Sequence, residues 1–267
     1  MLERRELDPS GIAWFDVGEG PPLVLIHAFP LNAEMWRGQI DAAPGGWRVI
    51  APDLRGFGSS GMLDGSTPPS IDDYAEYVVT LLQQCGIDRA VIGGLSMGGY
   101  VAFALFRRAP KLVRGLVLAD TRATPDTDEG REGRRKMQAL VQREGAAGVA
   151  REMLPKLLSE RTRRTKPEVA SEVERLILSS RPEGIHAALE AMMRRPDSTP
   201  DLARLDCPVL IVVGEDDRLT PVEDSRRMHE QIRGSELALL HGAGHLSNLE
   251  QPDAFNARLA SFLDQRF

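Results

Sequence analysis

Residues 90–99 read Ala-Val-Ile-Gly-Gly-Leu-Ser-Met-Gly-Gly: a short apolar run, then the pattern Gly94-Leu95-Ser96-Met97-Gly98. The next residues, 100–108, carry a helical apolar stripe that stops at Pro110. A G-x-S-x-G pattern between a strand and a helix describes a tight turn. Gly94 and Gly98 lack the side chains that would collide across it, and Ser96 is lifted clear of the sheet. Its hydroxyl then lies at the start of the helix, where unpaired N–H groups and the positive dipole end favour developing negative charge. Glycine and serine are common, so the pattern alone says little. The strand–turn–helix setting makes it informative, against the competing reading of a glycine-rich loop with a solvated serine.

Outward from this turn the alternation recurs. Leu23-Val24-Leu25-Ile26 ends at His27, 49–51 at Pro52-Asp53, 116–119 at Asp120, 209–213 at Gly214, and 237–240 at His241. Each run is continuous, as suits a strand covered on both faces. Helical patterns lie between them: 74–85, with Ser70 or Asp72 as cap, and 253–263 at the end. Strands alternating with helices predict a mainly parallel, doubly wound α/β sheet.

One region breaks the rhythm. From 122 to 199 no strand is legible, but helical stretches are, at 131–144, 148–158, 168–178 and 184–193. We read this as a helical cap inserted after the strand that ends at Asp120, dividing the chain into a core (1–121), a cap (122–199) and the rest of the core (200–267). The cap holds 16 basic and 13 acidic residues in a chain whose net charge is −6. Its charges suit the exposed faces of amphipathic helices, or alternatively steering of anionic substrates. Met137, Met153, Met192 and Met193 read as core filler or as an adaptable pocket lining.

A serine hydroxyl needs a base, and the base needs an orienting carboxylate. The strongest apolar run is followed by Gly214-Glu215-Asp216-Asp217-Arg218-Leu219-Thr220-Pro221, which puts three acids at a strand's C-terminal end, level with Ser96. Thr220, with Pro221 opening the next helix, can serve as its cap. That frees an acid for chemistry: Asp217 is preferred and Asp216 is second. His245, in the glycine-rich loop 241–246, is the candidate base, with His241 as competitor. His186 and His229 read as ordinary structural residues. An acyl-transfer intermediate also needs two preorganised donors for its oxyanion. The Met97 N–H directly follows Ser96, and the Phe29 N–H lies in the loop His27-Ala28-Phe29-Pro30. The Phe29 ring is a candidate wall for the acyl pocket, and His27 a hydrogen-bonded residue that orients the loop.

Composition narrows the partners. Of 267 residues, 42% are hydrophobic, 27% charged and 5% aromatic. A mildly acidic chain is poorly suited to holding nucleic acid or an anionic membrane. Cys85 and Cys207 make neither a disulfide framework nor a zinc site, and no metal-ligand spacing recurs. The N-terminal stretch is charged, without an apolar signal core, and no segment nears the ~20 apolar residues of a membrane span. A cytoplasmic globular protein acting on a small molecule is expected.

These residues resemble the α/β-hydrolase superfamily, from about Gly11 to Leu263. The likeness is carried by LIHAFP at 25–30, DLRGFGSS at 53–60, GLSMGG at 94–99, the acid loop at 214–221 and GHLSNLEQP at 244–252. Within the superfamily the chain is similar to the group of 3-oxoadipate enol-lactonases, pimeloyl-carrier-protein methyl ester esterases and small carboxylesterases. The resemblance implies an α/β-hydrolase fold with Ser96 as nucleophile, Asp217 as acid and His245 as base, in the expected chain order. It also implies that Phe29 and Met97 bind the oxyanion and substrate, and that no cofactor is used. The usual His-Gly pair is His27-Ala28 here, where a demand for positive φ would cost strain. The expected activity is a serine esterase for small or medium acyl groups. Alternatives are an enol-lactone hydrolase guided by Arg122, Arg194 or Arg195, a cofactor-free perhydrolase, or a non-enzymatic binding protein on the same fold.

Overall fold

The continuous apolar runs of the sequence become parallel strands. The computed structural model describes residues 4–6, 11–43, 45–62 and 70–267; part of the charged N-terminal stretch lies outside them. The strands are β1 (Arg4–Glu6), β2 (Ala13–Val17), β3 (Pro22–Ile26), β4 (Arg48–Pro52), β5 (Ala90–Leu95), β6 (Val113–Ala119), β7 (Val209–Gly214) and β8 (Glu236–Leu240). Among the described residues they form one sheet in the order β1-β2-β4-β3-β5-β6-β7-β8. β2 runs antiparallel to β1 and β4, and the remaining pairs are parallel. The antiparallel strands β1 and β2 have no counterpart among the apolar runs.

The helices are α1 (Arg37–Asp41), α2 (Ile71–Gln84), α3 (Met97–Arg108), α4 (Asp128–Leu157), α5 (Glu160–Thr165), α6 (Pro167–Leu178), α7 (Pro182–Met193), α8 (Thr199–Leu202), α9 (Val222–Gln231), α10 (Ser247–Glu250) and α11 (Pro252–Arg266). None is long and apolar enough to cross a membrane. α2 starts at a capping box, with the Ser70 hydroxyl and the Asp73 carboxylate each bonding the other's backbone N–H. β6 and β7 are separated by α4 to α8, with no strand among the described residues there. α4 breaks at Gly145 (φ 59, ψ −156), which separates the two helical stretches read from the sequence. Met192 is buried, while Met137 and Met153 are half-buried against the same core.

Strand register decides where the chemistry sits. Ile26 lies opposite Gly94, Leu95 opposite Ala119, Ala119 opposite Val212, and Gly214 opposite Leu240. The loops that follow β3, β5, β6, β7 and β8 therefore leave the sheet level with one another, at its C-terminal edge. In open α/β sheets that edge is where ligands bind.

Candidate active site

Ser96 is the residue just before α3 and has φ 56 and ψ −111, a conformation uncommon and strained for a non-glycine residue. Hydrogen bonds fix it from several sides. Its N–H donates to Ala119 O at 2.9 Å, and its carbonyl accepts from Gly99 N–H at 2.9 Å and from the Thr121 hydroxyl at 2.8 Å. α3 begins three residues earlier than the apolar stripe indicates, because the glycines that follow Ser96 are needed for close approach. A Cβ at Gly94 would collide with the Gly98 carbonyl, and a Cβ at Gly98 with the Ile26 carbonyl. From 90 to 106 every residue is buried except Ser96, which is half-buried. The turn thus presents one side chain to a ligand and packs the rest.

The loop after β3 lies against this turn. His27 is fully buried. The Leu54 N–H donates to His27 Nε2 at 2.9 Å, so the ring proton sits on Nδ1, which donates to Ala28 O at 2.9 Å. Among the described residues, positive φ outside glycine occurs only at Ser96 and Asp120, so Ala28 carries none of the strain that a positive φ would impose. Phe29 is buried, with its ring edge-on to Phe57 at 6.4 Å. Met97 is fully buried in the first turn of α3, where backbone N–H groups have no intrahelical acceptor.

Of the three acids after β7, the structure places Asp217 against His245. Asp217 Oδ2 accepts from His245 Nδ1 at 2.8 Å and from the Thr220 hydroxyl at 2.6 Å, while Oδ1 accepts from the N–H groups of Leu219 and Thr220 at 2.8 and 3.0 Å. Both side chains are almost fully buried. Burial works to raise the Asp217 pKa, but the charge of His245 and the hydrogen bonds from His245 and Thr220 outweigh it. The carboxyl is held below its ordinary value. Glu215 and Asp216 are exposed, and His241 turns outward to pair with Glu215 at 3.0 Å. The expected capping role of Thr220 is not what forms: α9 has no side-chain cap, and the Thr220 hydroxyl serves Asp217 instead. With Nδ1 engaged, Nε2 is the remaining nitrogen of the His245 ring. No hydrogen bond joins it to Ser96 among the described residues; such contacts often tighten only with substrate.

Asp120, directly after β6, is a buried residue to which the sequence assigns no task. Its Oδ1 accepts from Gly214 N–H at 2.8 Å and its Oδ2 is joined to the Ser247 hydroxyl, so it ties the acid loop to the histidine loop. Burial raises its pKa well above its ordinary value, the nearby Asp217 charge adds to this, and the bonds to Ser247 and Gly214 oppose it. A carboxyl whose pKa is higher in the fold than in the unfolded chain costs stability as pH rises from about 4 toward the folded value. Asp120→Asn keeps the shape of the neutral acid and removes that cost. The variant should gain in thermal midpoint relative to the parent as pH is raised from 4 to 8. Melting curves across that range check the sign; a gap that shrinks with rising pH would contradict it.

The arginines named as guides for an anionic substrate are committed elsewhere in part. Arg195 Nη1 and Arg122 Nη2 lie 2.7 and 3.3 Å from the buried Asp126 carboxylate, and Arg194 is exposed. Cys85 and Cys207 are half-buried, and burial pushes the Cys207 thiol up to about 11. A thiol so placed is a poor nucleophile.

A strained serine at a strand–helix elbow, level with a buried His–Asp pair, defines a class of protein. The sequence profile of the α/β hydrolase fold matches residues 21–252, and the chain belongs to that family. The 3-oxoadipate enol-lactonase 2 of Acinetobacter baylyi is 30% identical over 91% of this chain and 89% of its own. Among solved structures, a thermophilic esterase from Thermogutta terrifontis with malate bound is 39% identical, with a TM-score of 0.91 over 98% of both chains. The enol-lactonase from Burkholderia xenovorans is 26% identical, with a TM-score of 0.89 over 98% of this chain and 100% of its own.

Proposed function

We propose that this protein is a serine hydrolase that cleaves carboxylic esters through an acyl-enzyme on Ser96. The reading rests on one observation above others. The buried Asp217–His245 pair occupies the same sheet edge as a serine held in a strained turn and left accessible when all its neighbours are packed. Ser96 Oγ passes its proton to His245 Nε2 and attacks the ester carbonyl, while Asp217, ionised at neutral pH, stabilises the imidazolium. The N–H groups of Met97 and Phe29 receive the oxyanion. His245 then protonates the leaving alcohol and activates the water that releases the acid. The helices between β6 and β7 form a cap that selects the acyl and alcohol groups.

A fluorophosphonate probe tests the nucleophile directly. It should label the parent protein at Ser96, located by peptide mass, and fail to label Ser96→Ala. Labelling elsewhere, or none, would overturn the assignment.

A second reading, hydrolysis of an enol-lactone that carries a carboxylate, is supported by the identity with the Acinetobacter baylyi lactonase. Against it stands the engagement of Arg122 and Arg195 with Asp126. p-Nitrophenyl esters of rising chain length, run beside a carboxylated enol-lactone at low and high salt, separate the two. The ester reading expects turnover of short and medium acyl chains with little salt dependence; preference for the anionic lactone that fades with salt would favour the other.

A further inference from the structure

Glu250 is fully buried and ends α10, five residues after His245. Each of its carboxylate oxygens accepts one backbone N–H, and the two donors come from distant parts of the chain. Oε1 takes Gly244 N–H at 2.8 Å, directly before His245, and Oε2 takes Ser159 N–H at 2.9 Å, at the junction of α4 and α5. The same junction grips the histidine loop at three further points. Leu157 O accepts from His245 N–H at 3.1 Å and from Leu246 N–H at 3.2 Å, and the Ser159 hydroxyl donates to Gly242 O at 3.1 Å. A Cβ at Gly244 would press on Ser159 N and on Glu250 Oε1, so the approach of the two segments also accounts for the glycine.

A carboxylate is a rigid planar group. With one oxygen on each segment, displacing the α4–α5 junction displaces the backbone beside His245. Neither bond is needed to form the sheet, and neither touches Asp217 or Ser96. We propose that Glu250 is a positioning residue, through which the placement of the α4–α5 junction sets the aim of the His245 imidazole. The proposal rests on the reading of His245 as the base for Ser96.

Glu250→Gln keeps one accepting oxygen and turns an NH₂ group toward the other N–H, so it cuts one of the two links. At a temperature where circular dichroism shows the variant folded, kcat for a p-nitrophenyl ester should fall about 10–100-fold, the scale of a misplaced catalytic group, with KM moving less than about 3-fold. The acidic limb of its pH–kcat profile should also be displaced. The link is cut from its other end by Ser159→Pro, which removes the N–H. The backbone suits proline there, with Ser159 at φ −57 and Leu158 at φ −115, ψ 142. Compared with Ser159→Ala, which keeps the N–H, kcat should drop about 10-fold. The double variant Glu250→Gln with Ser159→Pro should be no slower than the slower single, because both break the same connection.

Wild-type kcat in Glu250→Gln would overturn the proposal. So would losses in kcat and KM that simply add in the double variant with the pH profile unmoved, the behaviour of a group that only stabilises the fold. Ser96→Ala, assayed alongside, separates this failure from that of the underlying mechanism. If Ser96→Ala is dead and Glu250→Gln is unaffected, only the positioning role falls. If Ser96→Ala remains active, both fall.

Discussion

Ser96→Ala is expected to lower kcat/KM for ester hydrolysis by about 10⁴–10⁶-fold, the loss found when the nucleophile of a Ser–His–Asp site is removed. The thermal midpoint should stay where it is. Alanine retains the Cβ, so the strain at φ 56 is unchanged, and the lost hydroxyl has no hydrogen bond to give up among the described residues. Ser96→Gly provides the contrast. It should be equally inactive but more heat-resistant, because glycine occupies positive φ freely and relieves a strain of roughly 1–3 kcal/mol, less the entropy it adds to the unfolded chain. A net gain of about 1 kcal/mol corresponds to about 2–4 °C at this size. Activity in either variant would remove Ser96 from the mechanism, and a glycine variant less stable than the alanine one would remove the strain.

The largest loss of stability is expected at Asp126, outside the groups proposed to be catalytic. Its side chain is fully buried under three guanidinium groups: Arg134 Nε at 2.5 Å, Arg195 Nη1 at 2.7 Å and Arg122 Nη2 at 3.3 Å. Arg131 Nη1 also donates to its carbonyl at 2.8 Å, and the Arg195 guanidinium lies 4.1 Å from the centre of the Tyr100 ring. Burial disfavours the Asp126 charge, but the hydrogen bonds and charges of Arg134 and Arg195 outweigh it and hold the carboxyl below its ordinary value. Asp126→Ala would leave those cations facing one another without a counter-charge. Removing one side of a buried ion pair costs about 3–5 kcal/mol, and here that means a fall in thermal midpoint of roughly 6–20 °C. The sign with pH follows from the lowered pKa. Asp126 contributes fully above its unfolded value of about 4 and loses that contribution as pH falls through the folded one. The gap between parent and variant should therefore be widest near neutrality and close in acid. A gap independent of pH would mean that packing, not charge, holds this corner together.

Much of the fold is legible in the chain because parallel strands are covered on both faces and so appear as unbroken apolar runs. β2 escapes that signal: it is a short strand near the sheet's edge, and its burial fades along its length. β1 is Arg-Arg-Glu and joins through backbone pairing, to which a reading of apolar pattern is blind. Ser96, Asp217 and His245 stand out because each sits where an apolar run gives way to a glycine-bearing loop. The sequence marks Thr220 as a cap for the next helix, but its hydroxyl's partner is Asp217 and not a helix end. Asp120 and Glu250 were hidden for a different reason. Their partners Gly214 and Ser159 lie 94 and 91 residues away, and no local pattern encodes a contact at that range. Periodicity reveals elements, and loop chemistry reveals reactive groups. The residues that brace one loop against another emerge only in three dimensions.

The bonding of Leu157 O to the two N–H groups at 245 and 246 carries a practical consequence for chimeras. Exchanging the segment between β6 and β7 for that of a relative is an obvious way to retune substrate range, because the sheet would be left untouched. The splice points are not free, however. A donor segment has to arrive with a carbonyl and an amide in the places now held by 157 and 159. Without them a transplanted segment would leave the sheet intact but, on the positioning role proposed for Glu250, an imidazole without its footing, and poor turnover in such hybrids would be a fault of the seam and not of the new pocket.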